Sequence, residues 1–188
     1  MNTKFYRNKT MSSIPYISQN WLKNYDVNRK DMKELFGMIQ YWSDRSCGLA
    51  CLLMALKGLK NTEIKMHDIF NAAIRIGAYS QNGWIHYKLA ELSTSFGLPS
   101  QALKIPLGDV LDLVNKGAVF IASIRHKFPV NAGKGGHLVL VYKYKEHAGK
   151  KYIFFRDPSR WGETHNCITI DRFNASYSSN GIILGIYH

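Results

Sequence analysis

The sequence predicts an α+β fold in which N-terminal helices pack on a C-terminal antiparallel sheet. Three observations carry this. Segments with helical spacing, each closed by a small or turn-forming residue, fill the chain from Cys47 to Gly117. Short β-type runs separated by turn residues fill the remainder. Hydrophobic residues make up 46% of the 188 residues, enough to build a core without help from disulfides. Helices first and strands afterwards is the order expected when the two groups segregate and pack on each other. The length suits one domain. Residues 41–188 carry the pattern, and residues 1–40 read as an arm or insertion packing on the same domain.

The N-terminal stretch is polar, with scattered aromatics. "IPYISQNW" (residues 14–21) reads as a short strand or extended arm, and "NRKDMKELFGMIQ" suggests a helix over Lys30 to Met38, stopped near Gly37. From Cys47 to Leu59, Leu49, Leu52, Leu53 and Leu56 fall at i, i+3, i+4 and i+7. Ser46 stands where a capping hydroxyl is useful, and Gly58 and Asn61 end the segment. Further helices are expected over Met66 to Ile76, Trp84 to Phe96 and Leu107 to Asn115, each followed by glycine. The strands follow: "AVFIASIR" from Ala118, "HLVLVYKY" from His137, "KYIFFRDP" from Lys151, "CITI" from Cys167 and "GIILGIY" from Gly181.

Several functional classes recede at once. No run reaches the roughly 18 apolar residues of a membrane span. The basic N-terminus has no apolar stretch, so no secretory signal is read. Cytoplasmic placement is the default expectation, with secretion by a non-standard route as the alternative. Cys47 and Cys51 lie one helical turn apart, a poor geometry for a disulfide, and no Cys-x-x-Cys pair offers a structural zinc site. His165 and Cys167 supply only two clustered potential ligands. No metal and no cofactor are expected. The net charge of +12 attracts acidic partners, but the charges are dispersed. The densest run, "KYKEHAGKK" from Lys143 to Lys151, reads as a solvated hairpin, and no basic stretch interleaved with aromatics points to nucleic acid.

Three reactive residues fall at the ends of predicted elements. Cys47 opens a helix, where free backbone N–H groups stabilise a thiolate. His137 opens a strand after the glycines of "NAGKGGH", and Asp157 ends the next one in "FFRDPS". If those two strands form a hairpin, the start of one lies beside the end of the other, and His137 meets Asp157 at one sheet edge. That order suits nucleophilic thiol chemistry: Cys47 attacks, His137 forms its ion pair and protonates the leaving group, and Asp157 fixes the imidazole. The Cys47 backbone N–H is one candidate oxyanion donor, and Gln40, seven positions upstream, is a candidate for the second. Trp84, His86, Gly136 and Trp161 are the candidates for lining a substrate cleft. Asp44 and Arg45, just before Cys47, are expected to order their loop through a salt bridge, and Cys51 is expected to be core packing.

"QYWSDRSCGLACLLMAL", "GWIHYKLAELSTSFGL", "GKGGHLVLVYKY" and "FFRDPS" together resemble the papain-like cysteine peptidases of the bacteriocin-leader (double-glycine) type, in particular their stand-alone branch. The resemblance runs from about Ile14 to the C-terminus. It implies the papain-like fold, a Cys-His-Asp triad that maps onto Cys47, His137 and Asp157, and a Gln in the oxyanion hole. "IPYISQ" resembles the family's opening segment and nominates Gln19 as the alternative to Gln40, which makes residues 20–39 an insertion. Leu49 stands where the family often has proline, a first-turn position. The implied activity is hydrolysis of a peptide or amide bond in a peptide or protein substrate through a thioester. An acyltransferase, deamidase or transglutaminase-like enzyme, acting as an effector or toxin, is the alternative on the same triad, and a basic binding module on an inactive scaffold is the second. The sequence names neither the substrate nor the oligomeric state.

Overall fold

The computed structural model describes residues 4–5, 14–21, 40–129 and 136–187. The helix expected over Lys30 to Met38 lies outside the described residues. Among the described residues, the helices whose full extent is seen are α1 (Cys47–Lys60), α2 (Met66–Arg75), α3 (His86–Ser95), α4 (Leu107–Asn115) and α5 (Ile170–Ser176). The main sheet has six antiparallel strands. These are β4 (Ser100–Lys104), β5 (Val119–Ile124), β6 (His137–His147), β7 (Lys150–Arg156), β8 (Cys167–Thr169) and β9 (Tyr177–Leu184). Their order is β4-β9-β5-β6-β7-β8. Four two-residue pieces make two small pairs: β2 (Tyr79–Ser80) with β3 (Gly83–Trp84), and β1 (Lys4–Phe5) with β10 (Ile186–Tyr187).

Alternation in the central strands explains the layering. Residues Ile121, Leu138 and Leu140 point to one face, where they meet the leucines of α1 together with α2 and α3. Phe120, Val139 and Val141 point to the other, where they meet Val110 and Leu111 of α4 and Phe173 of α5. Because β5 and β6 are apolar on both faces, both faces must be covered, and helices α4 and α5 take the side opposite α1.

The structure refines several expectations. Gly58 does not end α1; it lies inside the helix, where a side chain would collide with Ile14. Asn61, in the left-handed region at φ 53°, makes the stop. The third helix begins at His86, and Trp84 belongs to β3 instead. The last strand of the main sheet, β9, starts at Tyr177, and Gly181 sits within it, pressed so closely on Phe120 and Ile121 of β5 that no Cβ fits. The basic run forms the β6–β7 hairpin, with Ala148 and Gly149 both at positive φ in its turn. Residues 14–21 are bonded to the end of β7 and the segment that follows it. Ile14 is buried in the core, its carbonyl accepts from Arg156 Nε (2.9 Å), and Tyr16 donates to the Ser159 carbonyl (3.0 Å). No helix among the described residues is long and apolar enough to cross a membrane.

Candidate active site

Cys47 is the first residue of α1, and tight packing fixes its position. Gly48 follows it because any Cβ there would lie about 3 Å from Trp84, Leu89 and Leu138, so only glycine lets the helix start press against them. Ser46 does not cap the helix as expected. Its hydroxyl donates to the Trp42 carbonyl (2.6 Å) and accepts from Trp21 Nε1 (3.2 Å), which ties the preceding turn together. Asp44 and Arg45 do not pair with each other. Asp44 Oδ2 accepts from Gln40 Nε2 (2.7 Å), while Arg45 donates to the Tyr41 carbonyl (3.1 Å) and stacks on the Tyr41 ring. The adjacency of an acid and a base in sequence is no guarantee that they meet, because successive side chains leave the backbone in different directions.

His137 is the first residue of β6, and Asp157 follows the last residue of β7. The antiparallel register places them side by side, and His137 Nε2 lies 2.6 Å from Asp157 Oδ1. Both are buried. The backbone N–H of Ser159 donates to the same carboxylate oxygen (2.8 Å). Burial alone would raise the Asp157 carboxyl, but the His137 bond and charge and the Ser159 backbone N–H prevail and hold it below its usual value. Burial alone would likewise lower His137. Its bond to Asp157 and the nearness of the Cys47 thiol, with the charges of both, overcome this and push it up to about 10. Since Nε2 is committed to Asp157, Nδ1 is the ring nitrogen left for Cys47. An imidazole thus stands between a thiol and a carboxylate, able to carry a proton between the first and a bound reactant while the second holds its orientation.

Cys47 and His137 open into a cleft of about 180 Å³ that Trp84, His86 and Gly136 also line. It runs on across Trp84 and His86 to Lys104 and Asn180 on strands β4 and β9. Trp161 lies elsewhere: it stacks on Phe155 and His165 and packs into the core on the α4 side. Neither glutamine candidate is among the residues lining the cleft. Gln40 is exposed, its amide donating to Asp44. Gln19 is half-buried; its backbone N–H donates to the Pro158 carbonyl (2.8 Å) and its amide to the Asp44 carbonyl (3.2 Å), so it bridges the approaches to Asp157 and Cys47.

One neighbour of the pair escaped the sequence reading. His126 sits two residues beyond β5, its ring edge-on to His137 with centroids 4.7 Å apart. The signal was present: β5 pairs with β6 as Ile124 opposite His137, so the end of one strand again lies beside the start of the next. His126, His137 and Asp157 hold potential ligand atoms within 4.8 Å of one another, but the 2.6 Å His137–Asp157 bond already joins two of them.

Residues 35–186 match the family model described as the peptidase C39 family. Among solved structures, the chain is similar to the peptidase domain of Streptococcus ComA, a bi-functional ABC transporter involved in a quorum sensing pathway. The TM-score is 0.58 at 16% identity, over 76% of this chain and 92% of that one. It is also similar to a double glycine motif protease from an AMS/PCAT transporter, solved in complex with the leader peptide. There the TM-score is 0.48 at 19% identity, over 74% and 82% of the two chains. No curated protein matches.

Proposed function

Because the chain belongs to the peptidase C39 family, we propose that it cleaves a peptide or amide bond by nucleophilic attack of Cys47 on the carbonyl carbon. The observation that carries this reading is the buried 2.6 Å bond between His137 and Asp157 beside the Cys47 thiol. Asp157 keeps the imidazole turned so that its second nitrogen serves Cys47. The thiolate adds to the carbonyl to give a tetrahedral intermediate. His137 then protonates the departing amine, and a thioester remains on Cys47. Water, deprotonated by the now neutral His137, attacks the thioester, releases the acid and restores the thiolate and imidazolium.

The oxyanion would be met by the Cys47 backbone N–H and one carboxamide. Two observations favour Gln19 over Gln40. Gln19 is bonded both to the segment that follows Asp157 and to the loop that enters Cys47. Gln40 is exposed and engaged with Asp44.

The test is a peptide-library digest read by mass spectrometry, comparing wild type with Cys47→Ala and His137→Ala. New termini that vanish in both variants support the reading. Termini that persist in Cys47→Ala overturn it. Products carrying an added amine in place of water would assign the same thioester to acyl transfer.

A further inference from the structure

His126 has no part in the reaction as written, yet the fold goes to some trouble to place it. The two residues after it, Lys127 at φ 63° and Phe128 at φ 47°, both adopt the left-handed region. Such backbone is uncommon for any residue with a Cβ and is strained for a bulky one, so it persists only where the surroundings enforce it. Here they do. The Phe128 ring is fully buried between Phe155 and Phe173, at centroid distances of 4.9 and 5.1 Å. Arg172 Nε donates to the Phe128 carbonyl (3.1 Å), and Ser176 donates to the Pro129 carbonyl (2.9 Å). The turn is locked from below, and the residue that it presents upward is His126.

The ring of His126 meets His137 at 81°, an edge-on contact. His126 is otherwise exposed, so it stands between the buried His137–Asp157 pair and solvent. Among the described residues, the groups that face it are His137 on β6, Asp157 beyond β7 and its own neighbour Lys127. While His126 is neutral, its ring is an aromatic wall beside the imidazolium. Once protonated, it sets a second cation against His137 and competes for Asp157. A cation nearer to the imidazolium than to the thiolate shifts the pair toward its uncharged thiol–imidazole form.

We propose that His126 is a positioning residue: its ring, laid edge-on against His137, holds the imidazole between Asp157 and Cys47, and its own protonation releases that hold. The inference rests on the assignment of Cys47 and His137 proposed above. Burial keeps the His126 imidazole below its usual value, helped by the His137 charge and Lys127 and opposed by Asp157, so the release comes on the acid side of pH 6.5.

The experiment measures the rate of Cys47 alkylation by iodoacetamide as a function of pH, which needs no substrate. Wild type, His126→Phe and His126→Ala are compared. Phenylalanine keeps the aromatic edge and removes the charge; alanine removes both. Loss of positioning should slow the alanine variant about tenfold near neutral pH, whereas the phenylalanine variant stays close to wild type there. In wild type the rate should also show a step on the acid side that His126→Phe lacks. Wild-type rates and an unchanged acid limb in both variants would overturn the proposal. If alanine prevents folding, as read by thermal melting, the acid limb of His126→Phe alone decides. A wild-type Cys47 no more reactive than Cys51 would instead remove the proposed function, and this inference with it.

Discussion

The indole N–H of Trp84 donates to the Arg45 carbonyl at 2.6 Å, joining the β2–β3 hairpin to the loop that leads into Cys47. The same ring touches Tyr79 at 4.9 Å and lies against Gly48. Trp84→Phe keeps an aromatic body and removes the donor, leaving the Arg45 carbonyl unpaired. The expected cost is about 1 kcal/mol of stability, read from urea unfolding, because a net hydrogen bond is worth that order. The sharper expectation is kinetic. With its anchor gone the loop loosens, and Cys47 alkylation slows by more than the small stability change implies. An unchanged rate would mean that the helix start is held by packing on Gly48 alone.

The His137–Asp157 pair predicts how stability varies with pH. His137 lies at about 10 in the folded chain against an ordinary value of 6.5, so its ionisation stabilises the fold fully below pH 6.5. That contribution falls as pH rises and is gone once pH passes about 10. Asp157 is depressed below 3.8, so its contribution is present above that value and is lost as pH falls through its folded value. Both contributions are complete only between about pH 4 and 6.5. Thermal melts between about pH 6.5 and 9 should therefore decline more steeply in wild type than in His137→Gln, which has no proton there to lose; above that range the raised Cys51 thiol titrates in both proteins. Parallel curves for the two proteins would contradict the raised His137.

The cysteines make a third prediction, about selectivity. Cys51 is fully buried one turn from Cys47; burial pushes its thiol well up, and it donates weakly to the Leu138 carbonyl (3.3 Å). Cys167 is also raised by burial, on the edge strand β8. Only thiolates are alkylated at appreciable rates, so both should lag far behind Cys47, which opens a helix in the cleft beside His137. Brief iodoacetamide treatment followed by peptide mapping should find the label on Cys47. Equal, slow labelling of all three would count against a reactive thiol at that position.

What could be read from the chain, and what could not, follows from the range of the interactions. Residues Leu107 to Asn115 gave a helix with both ends placed, because its period and its glycine stop are local signals. The His137–Asp157 encounter was legible for the same reason: a hairpin of adjacent strands fixes which ends meet. Strand β4 was missed. Its five residues, Ser100–Lys104, show no clean alternation, and what makes them a strand is pairing with β9 some eighty residues later. Helix α5 has seven residues, too few to display a period. His126 was overlooked although the β5–β6 pairing brings its end of the strand near His137, because pairing alone does not fix where the ring goes. Its place depends on two left-handed residues held by a buried phenylalanine, a conformation that tertiary packing imposes against local preference. The loop before Cys47 was misjudged because Asp44 and Arg45 find their partners in Gln40 and Tyr41, which only the helical turn at residues 40–43 brings close.

Gly162 offers a way to disturb Asp157 without altering a reactive group. It lies in the 3-10 turn Arg160–Glu163, which folds back against the end of β7. A Cβ at Gly162 would fall 2.6 Å from the Asp157 Cβ and still closer to its backbone carbonyl. Neither atom belongs to a flexible side chain, so Gly162→Ala must push the Asp157 backbone away. Overpacking of this kind costs roughly 1–3 kcal/mol, and here the displacement falls on the residue that orients His137. The expected result is lower stability together with a loss of Cys47 reactivity and a fall in the alkaline pH at which His137 gives up its proton. Gly108→Ala is the control. Gly108 lies in α4 with no atom within 4 Å of the added carbon, so alanine there should be neutral or slightly stabilising and leave Cys47 untouched. If Gly162→Ala loses stability while Cys47 keeps its full rate and pH profile, the Asp157 carboxylate tolerates movement of its backbone, and the site is less tightly positioned than the 2.6 Å bond implies.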